Sequence, residues 1–271
     1  MQRVMRDGFA LAYEEAGRGS PPLLFVHGWT HDHTYMQAQF NHFDRHHRCV
    51  AVDLRGHGES DKPDAGYSIQ ALADDLAWLV FELGLRRPVV IGHSMGATVA
   101  LDLAARYADL VAAAVLLDPV VFVPQQVREA LSQVAPALHS PKFREAQRAL
   151  VASSSFLPSD DEQRKMRIIE AMSAAPQHVM AGCWDAMLAY DATTAAATCT
   201  VPLLCIASAH PIADVTQFRA VCPRLTTGQT VGAGHYHQLE VPGQINSMIE
   251  RFIAIALAPE INAPLSVAAR A

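Results

Sequence analysis

Ser94 lies in Gly92-His93-Ser94-Met95-Gly96, a serine with a glycine two residues away on either side. A serine hydroxyl is a poor nucleophile until a base takes its proton and a carboxylate orients that base, so the chain must also supply a histidine and an acid. The spacing suits a sharp turn between a strand and a helix. Val89-Val90-Ile91 is a short apolar run before it, and Ala97 to Ala105 reads as a helix after it. Such a turn strains the backbone at its apex, and side chains in place of Gly92 and Gly96 would block the approach of helix to strand. It also sets Ser94 at a helix N-terminus, whose free N–H groups and positive dipole end favour a developing oxyanion.

Around a nucleophile placed this way the partners follow in the order serine, acid, histidine, each after a strand. His235, in Gly232-Ala233-Gly234-His235, comes straight after the last strand-like run and is the expected base. His237, two residues on, would point elsewhere. Two acids compete. Asp118 ends the strand that follows the helix after Ser94, whereas Asp214 falls late in the loop after Val201 to Ala207, behind His210. Asp118 is preferred, its structural alternative being a cap on the turn before Pro119. The oxyanion donors are expected to be the backbone N–H groups of Met95 and of Trp29, the latter in the His27-Gly28-Trp29 loop. His27 itself is expected to fix that loop. His31, His93 and Trp184 are expected on the substrate pocket, with a packing role inside its own segment as the alternative for Trp184. His31-Asp32-His33 lacks further matching ligands, so it predicts pocket lining or local loop bonding and no metal site.

The elements that must hold these groups alternate. Ala10 to Glu15 reads as an opening strand. Leu23 to Val26, Cys49 to Asp53, the run from Val89, Ala112 to Leu117 and Val201 to Ala207 read as buried strands, and Gln229 to Val231 as a short last one. Ser68 can cap a helix with Leu72, Leu76, Leu79, Val80 and Leu83 on one face, ended by Gly84. Gln244 to Ala256 reads as a closing amphipathic helix. Between Val120 and Thr198 no strand-like run occurs, and helical segments alternate with Pro and Ser. Residues 120–198 are therefore expected to form a helical cap over a core made of 1–119 and 199–271. Strands alternating with helices imply right-handed crossovers and a largely parallel sheet. The tail beyond Pro259 is expected to fray.

Composition narrows the function classes. The 271 residues are 51% hydrophobic and 18% charged, with a net charge of −6 and no basic run, which speaks against nucleic acid and anionic membranes as partners. The N-terminal stretch has no long apolar core, so no signal peptide is expected, and no stretch approaches the length of a membrane span. Five scattered cysteines without a CxxC pair read as reduced thiols of a cytoplasmic protein. The expected partner is a small-molecule substrate, and a homodimer is left open.

Four motifs in this order resemble the α/β-hydrolase fold superfamily over nearly the whole chain: HGW (His27 to Trp29), DLRGHGES (Asp53 to Ser60), GHSMG (Gly92 to Gly96) and GAGH (Gly232 to His235). The resemblance implies an α/β fold, with a mostly parallel eight-stranded sheet flanked by helices and the helical cap inserted after the sixth strand. It implies esterases, lactonases, amide hydrolases and C–C hydrolases as neighbours, and no cofactor. The fold alone does not select among chemistries. An acid after the sixth strand is similar to some amide and ester hydrolases of N-heteroaromatic degradation, and also to the cofactor-free 3-hydroxy-4-quinolone 2,4-dioxygenases. Trp29-Thr30-His31-Asp32-His33 looks like the HGW-x-HDH motif of those dioxygenases. There the implied task of the His–Asp pair is to deprotonate a substrate hydroxyl, after which dioxygen attacks and the serine only orients the ring. The expected activity is hydrolysis of a small ester, lactone or amide through an acyl-enzyme, with Ser94 as nucleophile, His235 as base and Asp118 as acid. The alternative is dioxygenation of a 3-hydroxy-4-quinolone-type compound with His235 and Asp118 as base.

Overall fold

The computed structural model describes residues 1–258, so the expected fraying beyond Pro259 lies outside the described residues. The chain opens on a hairpin, β1 (Gln2–Arg6) and β2 (Phe9–Ala16), turned at Gly8 with φ +93°. Apolar runs without a polar face then become strands covered on both sides. These are β3 (Leu23–Val26), and, beyond a 3-10 turn over His33–Met36 and α1 (Gln37–Phe43), β4 (Cys49–Asp53). Next comes α2 (Ile69–Glu82), where Ser68 Oγ accepts the Ala71 N–H at 3.1 Å and Gly84, at φ +58°, ends the helix. β5 (Val89–His93), α3 (Met95–Arg106) and β6 (Ala113–Leu117) follow.

Between β6 and the next strand the only regular elements are helices: α4 (Gln125–Ser132), α5 (Ala135–Leu138), α6 (Phe143–Ser154), α7 (Glu162–Ser173), α8 (Gln177–Ala189) and α9 (Thr193–Thr198). The sheet resumes with β7 (Leu203–Ala207), and α10 (Val215–Val221), β8 (Thr226–Gln229), α11 (His237–Glu240) and α12 (Pro242–Ala256) complete the described chain. The eight strands form one sheet in the order β1-β2-β4-β3-β5-β6-β7-β8. Only the pairings β1 with β2 and β2 with β4 are antiparallel, so the expected mostly parallel sheet is what forms.

Strand alternation divides the core. Leu24, Val26, Val50, Val52, Val90 and Leu116 face the helices α2, α3 and α8, whereas Leu23, Phe25, Cys49, Ala51, Ile91 and Val115 face α1 and α12. Each fully buried Leu, Ile or Val contributes about 1.5–3 kcal/mol of transfer free energy. One strand was not expected, and the bounds of another need correction. β1 escapes a reading by apolar runs because it alternates exposed and half-buried residues. The last strand is Thr226–Gln229 rather than Gln229–Val231: it is a polar edge strand fixed by pairing with β7, Leu204 opposite Thr226 and Ala207 opposite Gln229. Among the described residues no helix is long and apolar enough to cross a membrane.

The sheet order also locates the crevice. β3 has β4 on one side and β5 on the other, so successive crossovers leave in opposite directions, and such switch points open a cleft at the strands' C-terminal ends. The loop after β3 carries Trp29, and the turn after β5 carries Ser94.

Candidate active site

Ser94 sits at φ +55°, ψ −119°, a conformation L-residues rarely adopt, and is held there by its surroundings. Its N–H donates to Leu117 O at 2.9 Å, continuing the β5–β6 ladder past the strand end. The two flanking glycines make the turn possible. A Cβ on Gly92 would lie 2.2 Å from Gly96 O, and one on Gly96 would lie 2.2 Å from His27 O. Asp118, after β6, is also at positive φ (+45°) and is likewise tied to the sheet, its N–H donating to Ile206 O at 2.9 Å.

Across the crevice His235 Nδ1 lies 2.7 Å from Asp118 Oδ2, and His235 Nε2 lies 2.9 Å from Ser94 Oγ. With Nδ1–H donating to the carboxylate, Nε2 keeps its lone pair for the serine proton. The second carboxylate oxygen of Asp118 accepts the Ser208 N–H at 3.0 Å. Burial alone would push the Asp118 carboxyl up, but the hydrogen bond and charge of His235, the nearby His237 and the Ser208 N–H together hold it below the usual carboxylate range. It is therefore a buried anion with its partners in place.

The loop carrying His235 is gripped from two sides. His93 Nε2–H donates to His235 O at 2.9 Å, and the His235 N–H donates to Ser155 O at 3.0 Å, in the loop between α6 and α7. Asp160, from the same loop, accepts the Leu157 N–H at 2.7 Å and the Gly234 N–H at 3.4 Å. Phe156 stacks on Tyr236 with ring centroids 5.1 Å apart. Ser155, Asp160 and Tyr236 have no part in the motif reading. Only the aromatic next to His235 could have drawn notice, because the 155–160 segment has no pattern of its own.

The structure separates the competing residues. Asp214 caps α10, its Oδ1 accepting the Gln217 N–H at 2.9 Å, and does not reach His235. His237 points to Thr230 Oγ1 at 3.1 Å, and burial lowers it to about 4. His27 bridges two loops as expected, bonding Gly28 O through Nδ1 and accepting the Leu54 N–H at 3.0 Å through Nε2. The three residues of His31-Asp32-His33 diverge. Asp32 caps the 3-10 turn, His33 pairs with Asp53 at 2.8 Å, and His31 stacks on Tyr35 with centroids 4.0 Å apart. Burial first, and then the neighbouring imidazoles, holds His31 well below its ordinary value, so it is neutral.

A cavity of about 350 Å³ opens over Ser94, at the small end of ligand pockets. Trp29, His31 and Trp184 line it, together with apolar residues from α4, α6, α7 and α8. Trp29 and Trp184 form one wall, their ring centroids 4.8 Å apart, and the Trp29 indole N–H is fixed on Met180 O at 2.9 Å. His93, expected on this pocket, does not line it. β5 turns its side chain under the His235 loop, where it is fully buried and supports the His235 carbonyl. Met95 is the first residue of α3, and among the described residues neither its backbone N–H nor that of Trp29 donates to another protein group. Both follow strand ends beside Ser94, where an oxyanion would form.

A family model described as alpha/beta hydrolase fold matches residues 21–242. The 2-(acetamidomethylene)succinate hydrolase of Mesorhizobium japonicum is 35% identical over 130 residues, which are 48% of this chain and 46% of that protein. The curated matches thus cover less than half the length of relatives such as this one. Among solved structures, a thermophilic esterase from Thermogutta terrifontis superposes with a TM-score of 0.84 at 25% identity, covering 95% of this chain and all of that one. E-2-(acetamidomethylene)succinate hydrolase superposes with a TM-score of 0.78 at 28% identity over 93% of this chain and 98% of that one.

Proposed function

We propose a serine hydrolase mechanism for this chain, which belongs to the alpha/beta hydrolase fold family. The observation that carries the proposal is the continuous line Ser94 Oγ, His235, Asp118, with spacings of 2.9 and 2.7 Å. His235 Nε2 takes the proton as Ser94 Oγ attacks a substrate carbonyl carbon. The buried Asp118 carboxylate fixes the His235 tautomer and stabilises the imidazolium. Charge developing on the carbonyl oxygen is received by the N–H groups of Trp29 and Met95. His235 then protonates the departing alcohol or amine, and a water deprotonated by His235 splits the acyl-enzyme. The substrate is a small ester, lactone or amide, a class that includes what the named relatives and structural neighbours are called after. The helices from α4 to α8 act as a cap over the site. Five free cysteines, four of them buried, fit a reducing compartment such as the cytoplasm.

The test is intact mass after exposure to a fluorophosphonate. One adduct on the wild type, absent from Ser94→Ala, is the expected result. Folded wild type without an adduct would leave Ser94 as an orienting group. The placement of Trp29 and His31 on the cavity wall would then favour the second reading, cofactor-free dioxygenation with His235 and Asp118 as base. Oxygen uptake on a 3-hydroxy-4-quinolone would test it.

A further inference from the structure

The cavity over Ser94 has walls but no cation. Among its lining residues there is no Arg or Lys. Its histidines are His235, engaged with Asp118 and Ser94, the buried neutral His31, and the exposed His210 at the rim. The one formal charge on the wall is the anion of Asp118. Arg128, the cation nearest along the sequence to the lining residues of α4, does not itself line the cavity, its Nη1 being spent on the backbone of a lining residue, Leu188 O, at 2.6 Å. A carboxylate carried inside would lose its water and meet no counter-charge, which is the costly way to bury an ion.

A second, independent observation concerns α4. None of its residues is buried, yet Val127 and Leu131, one turn apart on the same face, line the cavity, and Val127 remains 38% exposed. The helix presents an apolar stripe to the cavity mouth and polar residues (Gln125, Gln126, Glu129, Ser132) elsewhere. Leu150, Val151, Met172 and Met187 continue the apolar surface below it. Leu131 is half-buried against the hydrophobic core, whereas Val127 keeps its apolar side chain exposed at the cavity mouth, where an apolar group in the cavity would cover it.

Resting on the serine hydrolase reading, we propose that the substrate is an uncharged ester, lactone or amide whose apolar arm packs beneath Val127 and Leu131, and that carboxylate-bearing substrates are excluded. The apolar arm gains burial against α4 and the methionines, and the neutral carbonyl group reaches Ser94 without a desolvated ion.

The test compares 4-nitrophenyl 6-methylheptanoate with 4-nitrophenyl hydrogen adipate, matched in shape but not in charge, each measured above its spontaneous hydrolysis. Fluorophosphonate labelling of Ser94 is run in parallel. The neutral ester is expected to have a kcat/KM at least about 100-fold higher. Val127→Arg, a change on an exposed helix face, should narrow that ratio at least about tenfold by supplying the absent cation. Adipate turnover within tenfold of the neutral ester, with Ser94 still labelled, overturns the inference and leaves the nucleophile assignment standing. Labelled Ser94 with neither ester cleaved also overturns it, because an apolar acyl arm of this size is what the cavity should accept. Absence of both labelling and Ser94-dependent turnover overturns the hydrolase reading itself.

Discussion

Ser94 and Asp118 are placed by the sheet, whereas His235 is placed by a loop held between the sheet and the helical segment. The first two end adjacent parallel strands, both at positive φ, and both donate their N–H groups into the next strand along. Their strain is carried by β5, β6 and β7, whose residues are all buried. His235 follows a polar edge strand and depends on His93 from one side and on Ser155 and Asp160 from the other. Rigid, local scaffolding thus fixes Ser94 and Asp118, the proposed nucleophile and acid, while long-range contacts aim His235, the proposed base. A rearrangement of the 155–160 loop would reach the site through His235 and through Ser155, which also lines the cavity.

The largest effect should come from the sheet side. Asp118→Asn keeps the shape but favours the wrong imidazole tautomer, and kcat for a neutral ester should fall about 10⁴-fold. Asp214→Asn should change kcat less than about threefold, since that residue only caps α10. Steady-state kinetics on both variants would decide it, and the opposite ranking would remove Asp118 as the acid.

The loop side should be softer. A Cβ on Gly234 would lie 2.7 Å from Asp160 Oδ2 and 2.8 Å from Ser155 O, so Gly234→Ala must push the His235 loop off the helical segment. A displacement of about 1 Å lowers kcat by about 100-fold with little change in KM, and fluorophosphonate labelling should slow in parallel. If KM rises while kcat holds, the 155–160 loop acts on substrate access and not on the base.

The smallest effect joins the two regions. His93 braces the base loop, His237 lies beside it and His57 packs under His27, and burial keeps all three from protonating: His93 well below its ordinary value, His237 lowered to about 4 and His57 to about 3. A folded-state value below the unfolded 6.5 means the unfolded chain binds more protons on acidification. The stability these groups contribute is therefore complete above about pH 6.5 and is lost as pH falls toward 4, by up to about 1.4 kcal/mol per pH unit for each histidine. Urea midpoints measured from pH 7 to pH 4.5 should show this decline, and His237→Gln should flatten it. A flat profile in the wild type would mean the histidine cluster is hydrated.

Much of this architecture is written locally. Short apolar runs such as Val89 to Ile91, bounded by Pro88 and Gly92, read as strands covered on both faces, and Gly92 and Gly96 announce the close passage of β5 and α3, because backbone atoms occupy the space a Cβ would take. The order Ser94, Asp118, His235 follows from strand ends readable as the points where apolar runs stop. Contacts between distant segments were not legible. Nothing in the sequence tells that Asp214 is spent on a helix cap, that His93 turns away from the cavity, or that Asp160 and Ser155 reach Gly234 and His235, 74 and 80 residues on. Sequence periodicity encodes which face of an element is buried, and hence what can form a strand, a turn or a helix. Which buried groups meet is decided by the docking of whole elements, whose energy is spread over many weak contacts that leave no mark at any single position.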